Sequence, residues 1–268
     1  MSGAQERTGR HRMLLAIDVG NTTITIGLFQ GEQLRATWRI ATDHQRLADE
    51  YAVILLGLLN VEGVKSAEIN DAVLVSVVPD LIPVFEKLFE RHLHVRPLVV
   101  GTGTRTGVRI LYDSPRDVGA DRVADVVAAL KSYGPPPLII VDLGTALVFD
   151  AVSAEGDYLG GALAPGIHIA AEALTERAAK LYPVELSRPP SAIGKNTVSA
   201  LQSGLLFGYV SLIEGMVARF KRELGGEAKV VGTGGWAEVI ARETDVFDVV
   251  DPDLTLHGVR LIYEANRE

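Results

Sequence analysis

A chain of 268 residues can bury one large core or two of ordinary size, and 26 basic against 34 acidic side chains, a formal charge of −8, argue against general binding to nucleic acid. Cysteine is absent, which excludes disulfides and thiolate metal sites and fits a cytoplasmic protein. No stretch reads as a membrane span, so neither membrane nor nucleic acid is expected as a partner, while local amides and a few Arg or Lys can still hold a small anion.

Residues 1–12 are polar and basic without the apolar stretch of a secretory signal, and read as a disordered extension or tag. Leu14 then begins an apolar run that passes through Asp18, Gly20, Asn21 and Thr22 into an alternation of Ile24, Ile26 and Leu28. That pattern predicts a buried strand, a polar turn and an antiparallel neighbour. Gly20 permits the bend, the amides around Asn21 to Thr23 would converge on an anion, and Asp18 is placed to hold magnesium through oxygen or water. Gln33 to Ile40 reads as a third strand, Asp43 to Leu59 as a helix and Ala72 to Val78 as a central parallel strand. A helix from Pro79 to about His92 and a strand from Leu98 to Val100 complete one open sheet with helices packed on it. Gly101 to Gly107 is glycine-rich but lacks a Gly-Lys-Ser/Thr ending and a helix behind it, so it reads as a mobile connection. Pro115 starts a helix to about Ser132, with Asp117, Asp121, Arg122 and Asp125 in its first turns.

Pro135 to Pro137 punctuates the chain, and the opening pattern then recurs. Leu138 to Leu143, Ala146 to Val152 and Tyr158 to Ala164 repeat the three strands, with Asp142, Gly144 and Thr145 at the turn. Either turn alone could be a plain hairpin whose Asp and Gly only make the bend; the recurrence argues for two similar halves, 13–133 and 134–268, each offering a phosphate-side turn. A helix from Pro165-Gly166 to about Leu181, a loop from Tyr182 to Ser191 and a long helix from Asn196 to Leu224 follow. Gly204, Gly208 and Gly215 in the long helix suggest a close helix crossing, since Gly otherwise costs about 1 kcal/mol against Ala. Ala228 to Val231 is a strand entering Gly232 to Gly235, a helix starts near Trp236, Val246 to Val250 is a last strand, and Leu254 to Asn266 is an amphipathic helix.

Phosphoryl transfer needs a phosphate cradle with metal, a base for the acceptor and exclusion of water. Asp121 qualifies as a base by type, with the carboxylate-binding fork of Arg122 beside it, although an acid in a helix's first turn is also favoured by the helix dipole. The six histidines show no metal-ligand spacing, His92 and His94 reading as a solvated helix end. No nucleophile elbow is present. Gly232 to Gly235 could admit adenine or ribose, or be an ordinary turn.

Asp18 to Thr22, Gly119 to Arg122, Asp142 to Thr145, Gly160 to Gly166, Gly194 to Thr197 and Gly232 to Gly235, closed by Leu254 to Tyr263, occur in an order that resembles the type III pantothenate kinases over about residues 13–266. Each motif is weak alone; six in sequence are specific. The resemblance implies an α/β fold of the acetate and sugar kinase, Hsp70 and actin superfamily, with two duplicated actin-like (ribonuclease H-like) half-domains and an interdomain cleft. It implies phosphorylation of pantothenate to 4′-phosphopantothenate by ATP with magnesium, the first step of coenzyme A synthesis, in a homodimer that uses potassium or ammonium. Carried over, Asp18, Val19, Gly20, Asn21, Thr22, Thr23, Ile24 and Thr25 form the first phosphate turn, and Asp121 is the base. Tyr112, Gly119, Ala120, Asp121, Arg122 and Thr197 would line the pantothenate site. Asp142 would bind the monovalent cation and Thr145 an ATP phosphate. Some members have Lys where this chain has Thr25, so other groups would cover the transferred phosphate. The same fold would also serve a phosphohydrolase, or a kinase for another small alcohol. Some relatives were first described as accessory factors for gene regulation, a role that would not require Asp18, Asp121 and Asp142 together.

Overall fold

The structure, a computed structural model, describes residues 12–177 and 181–267. Segment 1–11 of the expected extension lies outside the described residues; Arg12 pairs with Asp71 at 3.0 Å.

The chain runs β1 (Met13–Val19), β2 (Thr23–Gln30), β3 (Gln33–Ala41), α1 (Ala48–Val61), β4 (Ile69–Ser76), α2 (Ile82–Leu88), β5 (Leu98–Val99) and α3 (Ala120–Tyr133). It continues through β6 (Leu138–Leu143), β7 (Ala146–Val152), β8 (Tyr158–Pro165), α4 (Ile167–Arg177), α5 (Thr197–Glu223), β9 (Lys229–Thr233), α6 (Ala237–Ala241), β10 (Val249–Val250) and α7 (Leu254–Asn266). The first sheet has the order β3-β2-β1-β4-β5, and the second, read from its β8 edge, has the order β8-β7-β6-β9-β10. Each is an antiparallel meander of three strands continued by two parallel ones, so the expected duplication is present strand for strand.

One compact unit comprises the chain to residue 106 with 119–124 and 255 onward; the other comprises 107–118 and 125–254. The break expected near residue 133 therefore falls inside the second unit, and α7 belongs to the first. Gly27 leaves a gap in β2 that Leu256 fills, and Gly258 lies against the backbone of Ala124.

In the first unit, alternate residues Leu15, Ile17 and Val19 of β1 and Ile24, Ile26 and Leu28 of β2 pack on Leu55, Leu59, Phe85 and Phe89. In the second, Ile139, Val141, Leu147 and Phe149 meet Leu206, Val210, Ile213 and Val217 of α5 at helical spacing. Contrary to the sequence reading, α5, with 27 residues, is long and apolar enough to cross a membrane by length and composition; its stripe of core residues shows what part of that apolarity serves. Its N-cap is Asn196, whose side chain accepts from Ser199 N at 2.9 Å. Gly204, Gly208 and Gly215 have open space where a Cβ would stand, so among the described residues no close crossing occurs there.

Three helix boundaries differ from expectation. Asp43 to Leu47 stays out of α1 because the Tyr51 hydroxyl donates to Asp43 O and accepts from Asp43 N, both at 2.9 Å. Pro79 opens a 3-10 turn before α2, and a π turn, Phe89–Leu93, follows it. At that helix end His92 Nε2 lies 2.8 Å from the exposed Asp49 Oδ1, which holds that carboxyl below the usual range. Pro115 likewise opens only a 3-10 turn, Pro115–Asp117, and α3 starts afresh at Ala120.

Candidate active site

In the first unit, β1 ends at Asp18 and Val19, and Gly20 turns the chain toward β2. The Gly20 amide donates to Thr23 O at 3.0 Å, and a Cβ at 20 would stand 2.9 Å from that same oxygen, so the turn requires glycine. The amide of Gly20 is thus spent within the turn, leaving Asn21, Thr22 and Thr23 exposed at its tip. Thr42, just past β3, fixes the tip: its amide donates to Thr22 O at 3.0 Å and its hydroxyl to Gly20 O at 2.7 Å.

The start of α3 sits at the same end of this sheet. Val77 N donates to Val19 O at 3.0 Å, extending the pairing of β1 with β4, and a Cβ on Gly119 would lie 3.6 Å from Val77 Cγ1. Asp121 folds its carboxylate back over the first turn of α3, where Oδ1 accepts from Arg122 N at 2.8 Å. A Cβ on Gly119 would overlap that oxygen, so Gly119 makes room for the carboxylate. Burial pushes the Asp121 carboxyl above its ordinary value, while the Arg122 amide and guanidinium oppose the shift without cancelling it. A carboxylate made more basic by its surroundings, at a helix start, is a better proton acceptor than a free one.

The second unit carries the other predicted residues. Gly144 N donates to Ala146 O and Gly166 N to Thr145 O, both at 3.1 Å, which closes the turn below Thr145. Asp142 pairs in register with Thr233, and a Cβ on Gly234, at φ +88°, would overlap the Asp142 carboxylate and the backbone of Leu143. Sequence reasoning left the Gly232 to Gly235 loop undecided; the structure packs it on the Asp142 turn. Beside them is a shallow apolar recess, whose lining includes Leu143, Gly144, Gly166, Ile167, Tyr209 and Trp236.

Tyr112 is strapped to β8 in this unit. Leu111 N donates to Tyr158 O at 2.8 Å, Tyr158 N to Arg109 O at 2.9 Å, and Arg109 Nε to the buried Asp157 at 2.9 Å. The Tyr112 ring rests on Gly160, at φ +118°, where a Cβ would come within 3.1 Å of it. Beneath, the Tyr158 hydroxyl donates to buried Asp150 at 2.8 Å. Sequence reasoning missed this support, whose one visible signal was the Gly160-Gly161 pair. Thr197 is exposed in the first turn of α5.

The structure therefore groups Asp18 to Thr25 with Gly119 to Arg122 in one unit, and Tyr112, Asp142, Thr145 and Thr197 in the other. Among the described residues no three His, Cys, Asp or Glu side chains gather as a metal cage. Asp18 and Asp142 are instead single carboxylates at polar turns, which suits cations completed by backbone oxygens, water and substrate phosphates.

Comparison with known proteins shows the family. The sequence pattern of a family described as type III pantothenate kinase matches residues 14–219. The type III pantothenate kinase of Dehalococcoides mccartyi strain CBDB1 is 50% identical over 254 residues, covering 95% of this chain and 96% of that one. That of Moorella thermoacetica is 51% identical over 254 residues, covering 95% and 100%. Among solved structures, one described as a Baf family transcriptional activator from Campylobacter jejuni matches with a TM-score of 0.59 at 20% identity, covering 94% of this chain and 98% of that one. The ADPNP-bound activator of a 2-hydroxyisocaproyl-CoA dehydratase from Clostridium difficile matches with a TM-score of 0.52 at 13% identity, covering 95% and 96%. At such identities these structures speak for the fold alone, the duplicated actin-like α/β fold.

Proposed function

Since the chain belongs to the type III pantothenate kinase family and so phosphorylates pantothenate with ATP in coenzyme A synthesis, we propose that Asp121 is the general base and Asp18 to Thr25 the first phosphate-binding turn. The observation that carries this reading is the half-buried Asp121 carboxylate, its basicity raised, at the same sheet end as the Asp18 turn.

In the reaction, the pantothenate hydroxyl oxygen bonds to the γ-phosphorus of ATP, the bond from that phosphorus to the bridging oxygen breaks, and ADP leaves. Asp121 takes the hydroxyl proton and passes it to solvent. Its Oδ1 is engaged by the Arg122 amide, so the proton goes to the other oxygen. Arg122 binds the pantothenate carboxylate by its planar fork, and Gly119, Ala120, Tyr112 and Thr197 line the acceptor's path. Magnesium on Asp18 would neutralise phosphate charge. In the second unit Thr145 contacts phosphate, Asp142 takes potassium or ammonium, and the Gly232 to Gly235 loop receives the adenine or ribose. The open glycine face of α5 is our choice for the homodimer contact, and the chain works in the cytoplasm.

The test is ATP-dependent formation of phosphopantothenate, with release of phosphate measured when pantothenate is left out. A hydrolase releases phosphate without the acceptor; a kinase does not. For the cation, exchanging potassium for sodium should depress the wild-type rate severalfold, and Asp142→Ala should be slow in both. If Asp142→Ala keeps the wild-type preference for potassium, the ligand lies elsewhere.

A further inference from the structure

We propose that Arg39, on β3, is a phosphate-binding residue of the first unit, its guanidinium meeting the nucleotide's phosphates beside Asp18. The inference rests on the phosphate reading of that turn and adds to it a residue from a strand outside the motif.

Strand register puts Arg39 there. Asp18 pairs with Thr25 across β1 and β2, and Thr25 pairs with Arg39 across β2 and β3. Residues directly opposite in antiparallel strands share a face, so these three side chains form one row. Neighbours of each go the other way: Ile17, Val19, Ile24, Ile26, Trp38 and Ile40 all pack in the core on the opposite face. Adjacent strands lie about 4.8 Å apart, so Arg39 starts roughly 10 Å from Asp18, a gap that a phosphate group and a long side chain together span.

The backbone that carries Arg39 is fixed to the turn. Three residues on, Thr42 makes the two hydrogen bonds to Thr22 O and Gly20 O that hold the tip. A shift of β3 would therefore move the phosphate turn with it. Arg39 itself is exposed, as a side chain that meets a ligand arriving from solvent must be.

Charge gives the reason. A nucleotide triphosphate brings several negative charges to a turn that already carries the Asp18 carboxylate, on a protein of net charge −8. Amides at Asn21 to Thr23 provide partial charges only. A guanidinium supplies a full positive charge and two parallel donors matched to phosphate oxygens.

The experiment compares Arg39→Gln with wild type by calorimetric titration of ATP, ADP and AMP, alongside steady-state kinetics. The expected result is ATP binding weakened about 10- to 100-fold, as for a lost charge-assisted hydrogen bond, with AMP binding and the pantothenate KM unchanged. Thr25→Lys added to Arg39→Gln should recover part of the loss, because the ammonium then stands in the same row one strand nearer. Unchanged ATP affinity, an equal loss for AMP, or a loss that Thr25→Lys does nothing to relieve would overturn the assignment. Asp18→Asn separates the two levels of the claim. If it weakens ATP binding while Arg39→Gln does not, the turn stands and Arg39 falls; if neither does, both fall.

Discussion

Asp121→Asn is expected to lower kcat by about 10²- to 10⁴-fold, the contribution of a positioned general base, while leaving ATP binding intact. Asn keeps the shape and an oxygen that can accept from Arg122 N, so the local fold survives and only the proton acceptor is lost. Two further readouts follow from the half-buried carboxyl. Wild-type turnover should fall as pH drops through the raised Asp121 value, above the ordinary carboxylate range near about 3.9, and Asp121→Asn should lack that limb. Stability runs in the opposite sense. Because the folded state raises this carboxyl, it binds the proton more tightly than the unfolded chain, so the wild type loses stability as pH rises through that window. Asn cannot ionise and avoids that cost. Melting at pH 7 should thus be no lower for Asp121→Asn than for wild type, and any advantage should vanish below the unfolded carboxyl value. A variant with normal turnover, or one that loses activity only by unfolding, would remove Asp121 from the role. Gly119→Ala gives a second approach to the same group: its methyl would displace the carboxylate, a mobile side-chain end, so turnover should drop while the fold holds.

The position of this carboxylate also shows where sequence reasoning stops. The duplicated meander was legible because its signals are local: alternation of apolar residues, an acidic turn and a glycine, stated twice. The long helix was legible from Asn196 to Leu224 because its cap and its stripe are both written in consecutive residues. By contrast, Pro115 looks like a helix start, yet α3 begins at Ala120 because the chain must first bring Gly119 beside Val77 and fold Asp121 over the new N-terminus. That requirement is tertiary and leaves no periodic trace. Arg39 was invisible for a similar reason, since its place beside Asp18 depends on two strand registers and not on spacing along the chain. Glycines misled in both directions. Those of α5 looked like a crossing and face open space, whereas Gly258, inside an ordinary amphipathic pattern, makes a real one.

Gly258→Ala is accordingly expected to destabilise the protein by about 3 kcal/mol, at the upper end of the usual cost of overpacking a close contact. Propensity alone predicts the reverse, because Gly inside a helix costs about 1 kcal/mol relative to Ala. Steric contact decides the sign. A Cβ at 258 would stand 2.9 Å from the Cα of Ala124 and overlap that residue's carbonyl, and backbone atoms cannot rotate away as a side chain would. Nor can α7 retreat cheaply. Leu256 fills the gap over Gly27, Val259 and Ile262 are buried, and Arg260 lies over the Phe29 ring at 5.7 Å. Backing the helix off by even a few tenths of an ångström would loosen all of these contacts at once. Gly57, in α1 with open space around its missing Cβ, is the control: Gly57→Ala should gain up to about 1 kcal/mol. At about 2–4 °C per kcal/mol for a chain of this size, the two variants should melt on opposite sides of wild type, Gly258→Ala lower by roughly 6–12 °C. Because Ala124 stands one helical turn after Asp121, kcat should also fall in Gly258→Ala below its melting range, by a smaller factor than in Asp121→Asn. If Gly258→Ala melts at or above wild type, α7 does not press on α3 at this point, and the basis for the position of Asp121 must be sought elsewhere.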